Sequence, residues 1–201
     1  MEKKINDILK ITESYKAPDR LMEILFDEEE KEKVFGDFLE LFNYNVDFDW
    51  FHEYFQEEHA DRKKKKQDFT PRSVANVLAR LVGNDSGNYY EVAAGTGGLM
   101  ITYWDKFRRK HYPWNYKPEY HFATVEELST RTVPFLLLNM AIRGMNGVVI
   151  NGDCLTRECK DVYFVINEKN DHLKFSKIYK APHTEEVEKE YRVKFSDIER
   201  G

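Results

Sequence analysis

The run Tyr89-Tyr90-Glu91-Val92-Ala93-Ala94-Gly95-Thr96-Gly97-Gly98-Leu99 decides how the rest of the chain reads. Tyr89–Ala94 reads as a short apolar strand, and Gly95-Thr96-Gly97-Gly98 as a turn. Leu99–Arg109 reads as a helix, with Lys106, Arg108 and Arg109 at the end where the helix dipole favours cations. Glycines between a strand and a helix permit positive φ and let a ligand approach the backbone closely. The spacing is G-x-G-G. It is not the G-x-G-x-x-G of dinucleotide sites, and no P-loop lysine follows. A nucleoside site is therefore favoured over a phosphate cradle, with a plain tight turn as the alternative.

Working outward, the pattern alternates. Upstream, Thr70-Pro71 starts a helix, Thr as N-cap and Pro at the first helical position. Val74, Val77, Leu78, Leu81 and Val82 follow at helical spacing. Downstream, His111–Pro118 is an aromatic, proline-bearing loop whose Tyr112, Trp114 and Tyr116 either stack a base or cover the sheet. Tyr120–Val125 is a second strand running into Glu126-Glu127. Thr130–Arg143 is a helix with Pro134 in its first turn and Gly144 at its C-cap. Val148–Ile150 is a third strand closed by Asn151-Gly152-Asp153, and Val162–Ile166 a fourth closed by Asn167. Lys174–Lys180 and Tyr191–Ile198 alternate like edge strands, with a helix across Glu185–Glu190. Strand, helix, strand, helix, strand predicts an α/β fold with a parallel doubly wound sheet.

In such a sheet ligands bind beyond the carboxyl ends of the strands. The pattern puts Glu91 to Gly98, Glu127, Asp153 and Asn167 there. An acid ending the second strand suits the two hydroxyls of a ribose, and Glu126 and Glu127 compete for that role. Asp153 suits either an adenine amine or a turn.

Residues 1–66 read as a separate helical segment and 67–201 as the α/β domain. Ile5, Ile8 and Leu9 share one helix face, Leu21, Ile24 and Leu25 another, and Val34, Phe35, Phe38, Leu39 and Phe42 a third. Pro18 and Asn43-Tyr44-Asn45 punctuate them, and Trp50, Phe51, Tyr54 and Phe55 form a further apolar patch. The adjacent cations Arg62–Lys66 repel one another, so this run is expected at the surface, as a solvated connector or a phosphate contact. Charge is uneven along the 201 residues. Residues 1–60 hold 17 acids and 7 bases, and 61–201 hold 19 acids and 24 bases, so the second part is the one suited to phosphates.

No apolar run approaches the roughly 20 residues of a membrane span, and the N-terminus has no signal-like apolar core, so a soluble, cytoplasmic protein without membrane contact is expected. Cys154 and Cys159, with histidines scattered at 52, 59, 111, 121, 172 and 183, match no disulfide framework and no metal-ligand spacing. There is no Ser-His-Asp elbow.

Four stretches, taken together, resemble a known family. They are Asp68-Phe69-Thr70-Pro71-Arg72-Ser73-Val74; Tyr90 through Leu99; Glu127-Leu128-Ser129 leading to Leu138-Asn139-Met140; and Gly152-Asp153-Cys154-Leu155. In this order and at these distances they resemble the adenine-specific (N-6) DNA methyltransferases, especially the modification subunits of type I restriction enzymes. The resemblance implies a Rossmann-like S-adenosylmethionine-dependent methyltransferase fold, here abbreviated, preceded by a helical segment. It implies S-adenosylmethionine as cofactor, DNA as substrate, and a target-recognition (specificity) subunit or other protein partner in a restriction–modification complex. By the same resemblance Phe69, Thr70 and Pro71 close over the methionine end of the cofactor. Glu91, Gly95, Thr96, Gly97 and Gly98 hold it, Glu127 binds its ribose, and Asp153 lies near its adenine. Glu91 stands where the family usually has Asp, and Ala94 where it often has Cys.

One family motif is not intact. Asn (or Asp)-Pro-Pro-aromatic should follow the fourth strand, but that strand runs into Asn167-Glu168-Lys169-Asn170, and the chain has no Pro-Pro pair. An adenine amine is a weak nucleophile because its lone pair is delocalised into the ring. The motif's oxygens accept its hydrogens, and its aromatic ring stacks the flipped base. Asn167 retains one such acceptor and is the candidate catalytic residue. The alternatives are a catalytically inactive, methyltransferase-like protein that binds or regulates a restriction–modification complex, and methylation of a substrate other than DNA.

Overall fold

A computed structural model describes residues 1–52, 54, 72–81 and 87–196. The Arg62–Lys66 run and Phe69-Thr70-Pro71 lie outside the described residues. The chain opens with α1 (Glu2–Leu9), α2 (Ala17–Phe26) and α3 (Glu28–Leu41). Each turns its expected apolar stripe inward: Ile5 and Leu9; Leu21, Ile24 and Leu25; Val34, Phe35 and Phe38. Asp27 caps α3 by accepting the Glu30 N–H at 2.9 Å.

The helix α4 (Arg72–Leu81) is followed by β1 (Asn88–Val92), α5 (Gly98–Arg108), β2 (Phe122–Glu127), α6 (Val133–Ile142) and β3 (Asn146–Gly152). The three strands are parallel and in register, Tyr90 beside Thr124 beside Val148. Every residue of α6 is buried, because it lies between the sheet and the N-terminal helices. Phe135 on α6 meets Phe51 at 5.0 Å and Tyr54 at 5.8 Å, so one continuous core joins the helical segment to the sheet. Gly144 ends α6 at φ 63, and a Cβ there would come within 2.7 Å of the Lys174 carbonyl.

From β3 the architecture departs from parallel winding. β4 (Glu158–Ile166) returns antiparallel to β3, β5 (Lys177–Lys180) is antiparallel to β4, and β6 (Lys194–Phe195) runs parallel to the start of β4. Only residues 153–157 join β3 to β4, whereas a parallel crossover needs a dozen or more. A hairpin is therefore forced. A smaller apolar cluster, Val148, Ile150, Cys159, Val162, Val193 and Phe195 with Val187 and Tyr191 of α7 (Glu185–Tyr191), covers the opposite face of β3 and β4.

The apolar stripe of α4 behaves differently from its pattern. Ala75 is buried, and the Asn76 carbonyl accepts Lys106 Nζ at 2.7 Å, so α4 sits on α5 by that side. Val74, Val77, Leu78 and Leu81 are exposed.

Candidate functional site

The carboxyl ends of β1, β2 and β3 surround a cavity of about 450 Å³, within the ~300–1,000 Å³ range of small-molecule sites. Its wall includes Glu91, Gly95, Gly98, Glu127 and Asp153. These five expected site residues come from three separate turns, and the parallel register brings them together. Thr96 and Gly97 support the turn from behind: both are buried, and neither is in the cavity wall.

The glycine turn is tightly wound. Gly95 has φ 59 and Gly97 φ 96, and Ala93 adopts φ 57, a region that costs a residue with a Cβ roughly 1–2 kcal/mol. A Cβ on Gly97 would lie 2.8 Å from Met100 Cε and 2.9 Å from Leu136 Cδ1. The turn is therefore pressed on the core below it and cannot swell.

Adjacent residues of a strand point to opposite faces, and this separates the two acids ending β2. Glu126, itself buried, accepts the Tyr90 hydroxyl at 2.5 Å and Arg157 Nη1 at 2.6 Å, forming a partly buried ion pair on the face away from α5 and α6. Glu127 instead accepts two backbone N–H groups, Gly95 at 2.8 Å and Ser129 at 2.8 Å. It thus ties the glycine turn to the end of β2. Both line the cavity. Asn151 fixes this strand end from below, donating to the Glu127 and Leu128 carbonyls at 2.9 and 3.2 Å.

Glu91 accepts the Tyr89 hydroxyl at 2.8 Å. Burial pushes its carboxyl up to about 7, with the Glu127 charge adding to the rise and the tyrosine bond opposing it. Asp153 closes the β3–β4 hairpin, its Oδ1 accepting the Leu155 N–H at 2.8 Å, and the residue also lines the cavity.

The helical segment supplies part of the wall, Asp49 and His52. Asp49 accepts the Thr96 hydroxyl, and its Oδ1 accepts Asn139 Nδ2 at 2.9 Å. Asn139 Nδ2 also donates to the Thr96 carbonyl at 2.7 Å. Behind it, Arg143 donates to the Val46 and Phe48 carbonyls at 2.9 and 2.6 Å and to Asn139 Oδ1 at 2.8 Å. Burial pulls the Arg143 guanidinium down to about 9. Asp49 was passed over in the sequence because it sits inside an aromatic run, Phe48-Asp49-Trp50-Phe51. A lone acid in such a run was the available signal. Thr132, also in the wall, carries a buried hydroxyl with no hydrogen-bond partner, and nothing in the local sequence marked it.

Asn167 is not brought to the cavity, which corrects its expected catalytic placement. Because β4 is antiparallel, its carboxyl end lies beside the start of β3, where the Asn167 N–H donates to Asn146 Oδ1 at 2.7 Å. Its side-chain amide donates to the carbonyls of Gly144, Asp171 and Lys174 at 3.2, 2.9 and 2.9 Å, and its oxygen accepts the Asp171 N–H at 3.1 Å. It organises the loop after β4.

Three parallel strands, two crossover helices on one face and an acid-lined cavity past a glycine turn define a Rossmann-like sheet of the methyltransferase kind. The N-6 DNA methylase family model matches residues 46–196, and the chain belongs to that family. No curated protein and no solved structure matches it. Among the described residues no helix is long and apolar enough to cross a membrane.

Proposed function

We propose that the cavity binds S-adenosylmethionine and that the chain serves methylation of adenine in DNA. The observation that carries this reading is the convergence of Glu91, Gly95, Glu127 and Asp153 on one cavity. The donor set fits the cofactor. Asp49, Glu91, Glu126, Glu127 and Asp153 give the wall five acids, which suits a sulfonium and an ammonium far better than nucleotide phosphates. Thr132 also lines the cavity, and its hydroxyl is buried without a partner, which costs about 1–3 kcal/mol. In this reading Glu127 takes the ribose hydroxyls through the lone pairs its backbone donors leave open. Asp153 accepts from the adenine amine, Gly95 lets the cofactor lie against the backbone, and Phe69-Thr70-Pro71 close over its methionine end. The cofactor supplies a methyl group activated by its positive sulfur. The protein contributes position, since holding two reactants in line converts a bimolecular step into a unimolecular one.

The saturated amide of Asn167 favours a second reading of the chemistry. The chain holds the cofactor while the groups that orient the target amine come from a partner, such as a target-recognition subunit. β1 supports this. Among the described residues it pairs only with β2, and its carboxyl end enters the cavity wall at Glu91, so a strand added beside it would end at the cavity. Calorimetry with S-adenosylmethionine tests the first reading: wild type binds, and Gly97→Val and Glu127→Ala bind far more weakly. Absence of binding by wild type refutes it. Transfer of labelled methyl groups to DNA tests the second. Turnover by the chain alone, undiminished in Asn167→Ala, would overturn the need for a partner.

A further inference from the structure

The loop between α5 and β2 carries a second surface, far from the cavity. From Lys106 to Lys117 the sequence has five cations, Lys106, Arg108, Arg109, Lys110 and Lys117, and no acid, in a chain of net charge -5. Its aromatic residues divide. Tyr116 is buried and its hydroxyl accepts Trp104 Nε1 at 3.0 Å, so it anchors the loop. Tyr112 and Trp114 point outward, 67% and 76% exposed, and stack on each other with centroids 5.2 Å apart and planes 7° apart. Backbone bonds from Asn115 N and Tyr116 N to the Tyr112 carbonyl, at 2.8 and 3.1 Å, hold the turn between them. Most of the surface of these two rings stays in water, so they contribute little to the core.

Two neighbouring acids are already held. Asp105 is bound by Arg108 and Arg109, each at 2.6 Å, and Asp47 lies 3.5 Å from Arg109. Arg109, Lys110 and Lys117 are exposed. We propose that the Tyr112–Trp114 ring pair, flanked by Arg109, Lys110 and Lys117, is a contact for a single-stranded nucleic-acid segment. An unpaired base stacks on the outer ring face, and the cations take the flanking phosphates. A ring pair on a segment with five cations and no acid of its own favours nucleic acid over a protein surface, which would balance charge differently.

This contact is distinct from the cavity. The loop enters β2 at its amino end, and the cavity lies at its carboxyl end, roughly 20 Å away at roughly 3.3 Å per residue. A base held here is not the base that meets the cofactor, so the surface positions a strand rather than taking part in chemistry. The proposal stands whether or not the cavity binds S-adenosylmethionine.

The test uses the full chain and a labelled mixed-sequence single-stranded DNA oligonucleotide, with the same sequence as a duplex for comparison. Wild type binds the single strand at low salt with quenching of tryptophan fluorescence. Trp114→Ala weakens binding roughly 5- to 150-fold and removes most of the quenching, while duplex affinity changes less. The double variant Lys110→Gln, Lys117→Gln lowers the slope of log affinity against log salt by about 1.4. Circular dichroism melting shows these exposed-site variants folded. Three results would each overturn the proposal: no single-strand binding by wild type at low salt, equal affinity in Trp114→Ala, or an unchanged salt slope. A fourth would be a change in sedimentation mass in Trp114→Ala with oligonucleotide affinity intact, which would make the rings a protein contact.

Discussion

The two ends of the parallel sheet handle polar groups in opposite ways. At the amino end, the Asn167 amide donates to three backbone carbonyls and its oxygen takes a backbone N–H, so its bonding capacity is used within the protein. At the carboxyl end, five acids face one cavity and a buried threonine hydroxyl has no partner. Groups satisfied internally hold the fold. Groups with capacity left over beside open volume are suited to a ligand.

Substitutions at the two ends should therefore fail differently. Asn167→Ala strands several buried carbonyls and should cost about 3 kcal/mol of stability, read by urea unfolding. Affinity for S-adenosylmethionine should be unchanged. Glu127→Ala should do the reverse, with affinity falling about 100-fold, near 2.7 kcal/mol, and stability falling by only about 1–2 kcal/mol for its two N–H bonds. If Asn167→Ala abolished binding in a folded protein, the contrast between the ends would be lost.

A smaller effect concerns Glu91, whose carboxyl is pushed up to about 7, mainly by burial. The folded state then holds a proton that the unfolded chain has released. The stability contribution of Glu91 is present below its ordinary value near 4.5 and falls as pH rises to about 7. Binding of a cation runs the other way. It gains as Glu91 ionises, and near pH 7 it should release a proton. We expect affinity to rise about tenfold from pH 6 to 8 in wild type, relative to Glu91→Gln. Calorimetry in buffers of different ionisation enthalpy reads the proton release, and identical profiles for the two proteins would remove Glu91 from the site.

Legibility in the sequence followed the range of the interaction. The stripes of Ile5 and Leu9, or Val34, Phe35 and Phe38, were plain because helical period is local. The glycine turn and the alternation around it fixed the α/β class for the same reason. The choice between Glu126 and Glu127 was not legible, since it depends on Tyr90 and Arg157 reaching one of them across 36 and 31 residues. Asp49 reaches Thr96 and Asn139 across 47 and 90 residues, beyond any local pattern. The reversal of β4 was written in the short connection 153–157, but the charged residues Glu158, Lys160 and Asp161 hid where that strand begins. The helical spacing of α4 was legible, but not which side it buries, which is that of Ala75.

The finest test sets two unpartnered buried groups against each other, one at each end. Thr132 lines the cavity, and its hydroxyl has no partner. His121, just before β2, has neither ring nitrogen bonded and sits against Tyr103 and Phe107. Burial pulls its imidazole down to about 4. Between about pH 6.5 and 4 the unfolded chain takes up a proton that folded His121 refuses, so stability falls as pH drops through that window. Each orphan costs the folded protein about 1 kcal/mol or more. Thr132→Val and His121→Phe should therefore both raise the melting temperature by a few degrees, and His121→Phe should also flatten the acid limb of stability. Only Thr132→Val should weaken S-adenosylmethionine, by about fivefold, near 1 kcal/mol, because only Thr132 lines the cavity. Stabilisation by both with affinity untouched in both would mean that the Thr132 hydroxyl is merely a tolerated defect, and that lining a cavity does not by itself make a polar group part of a site.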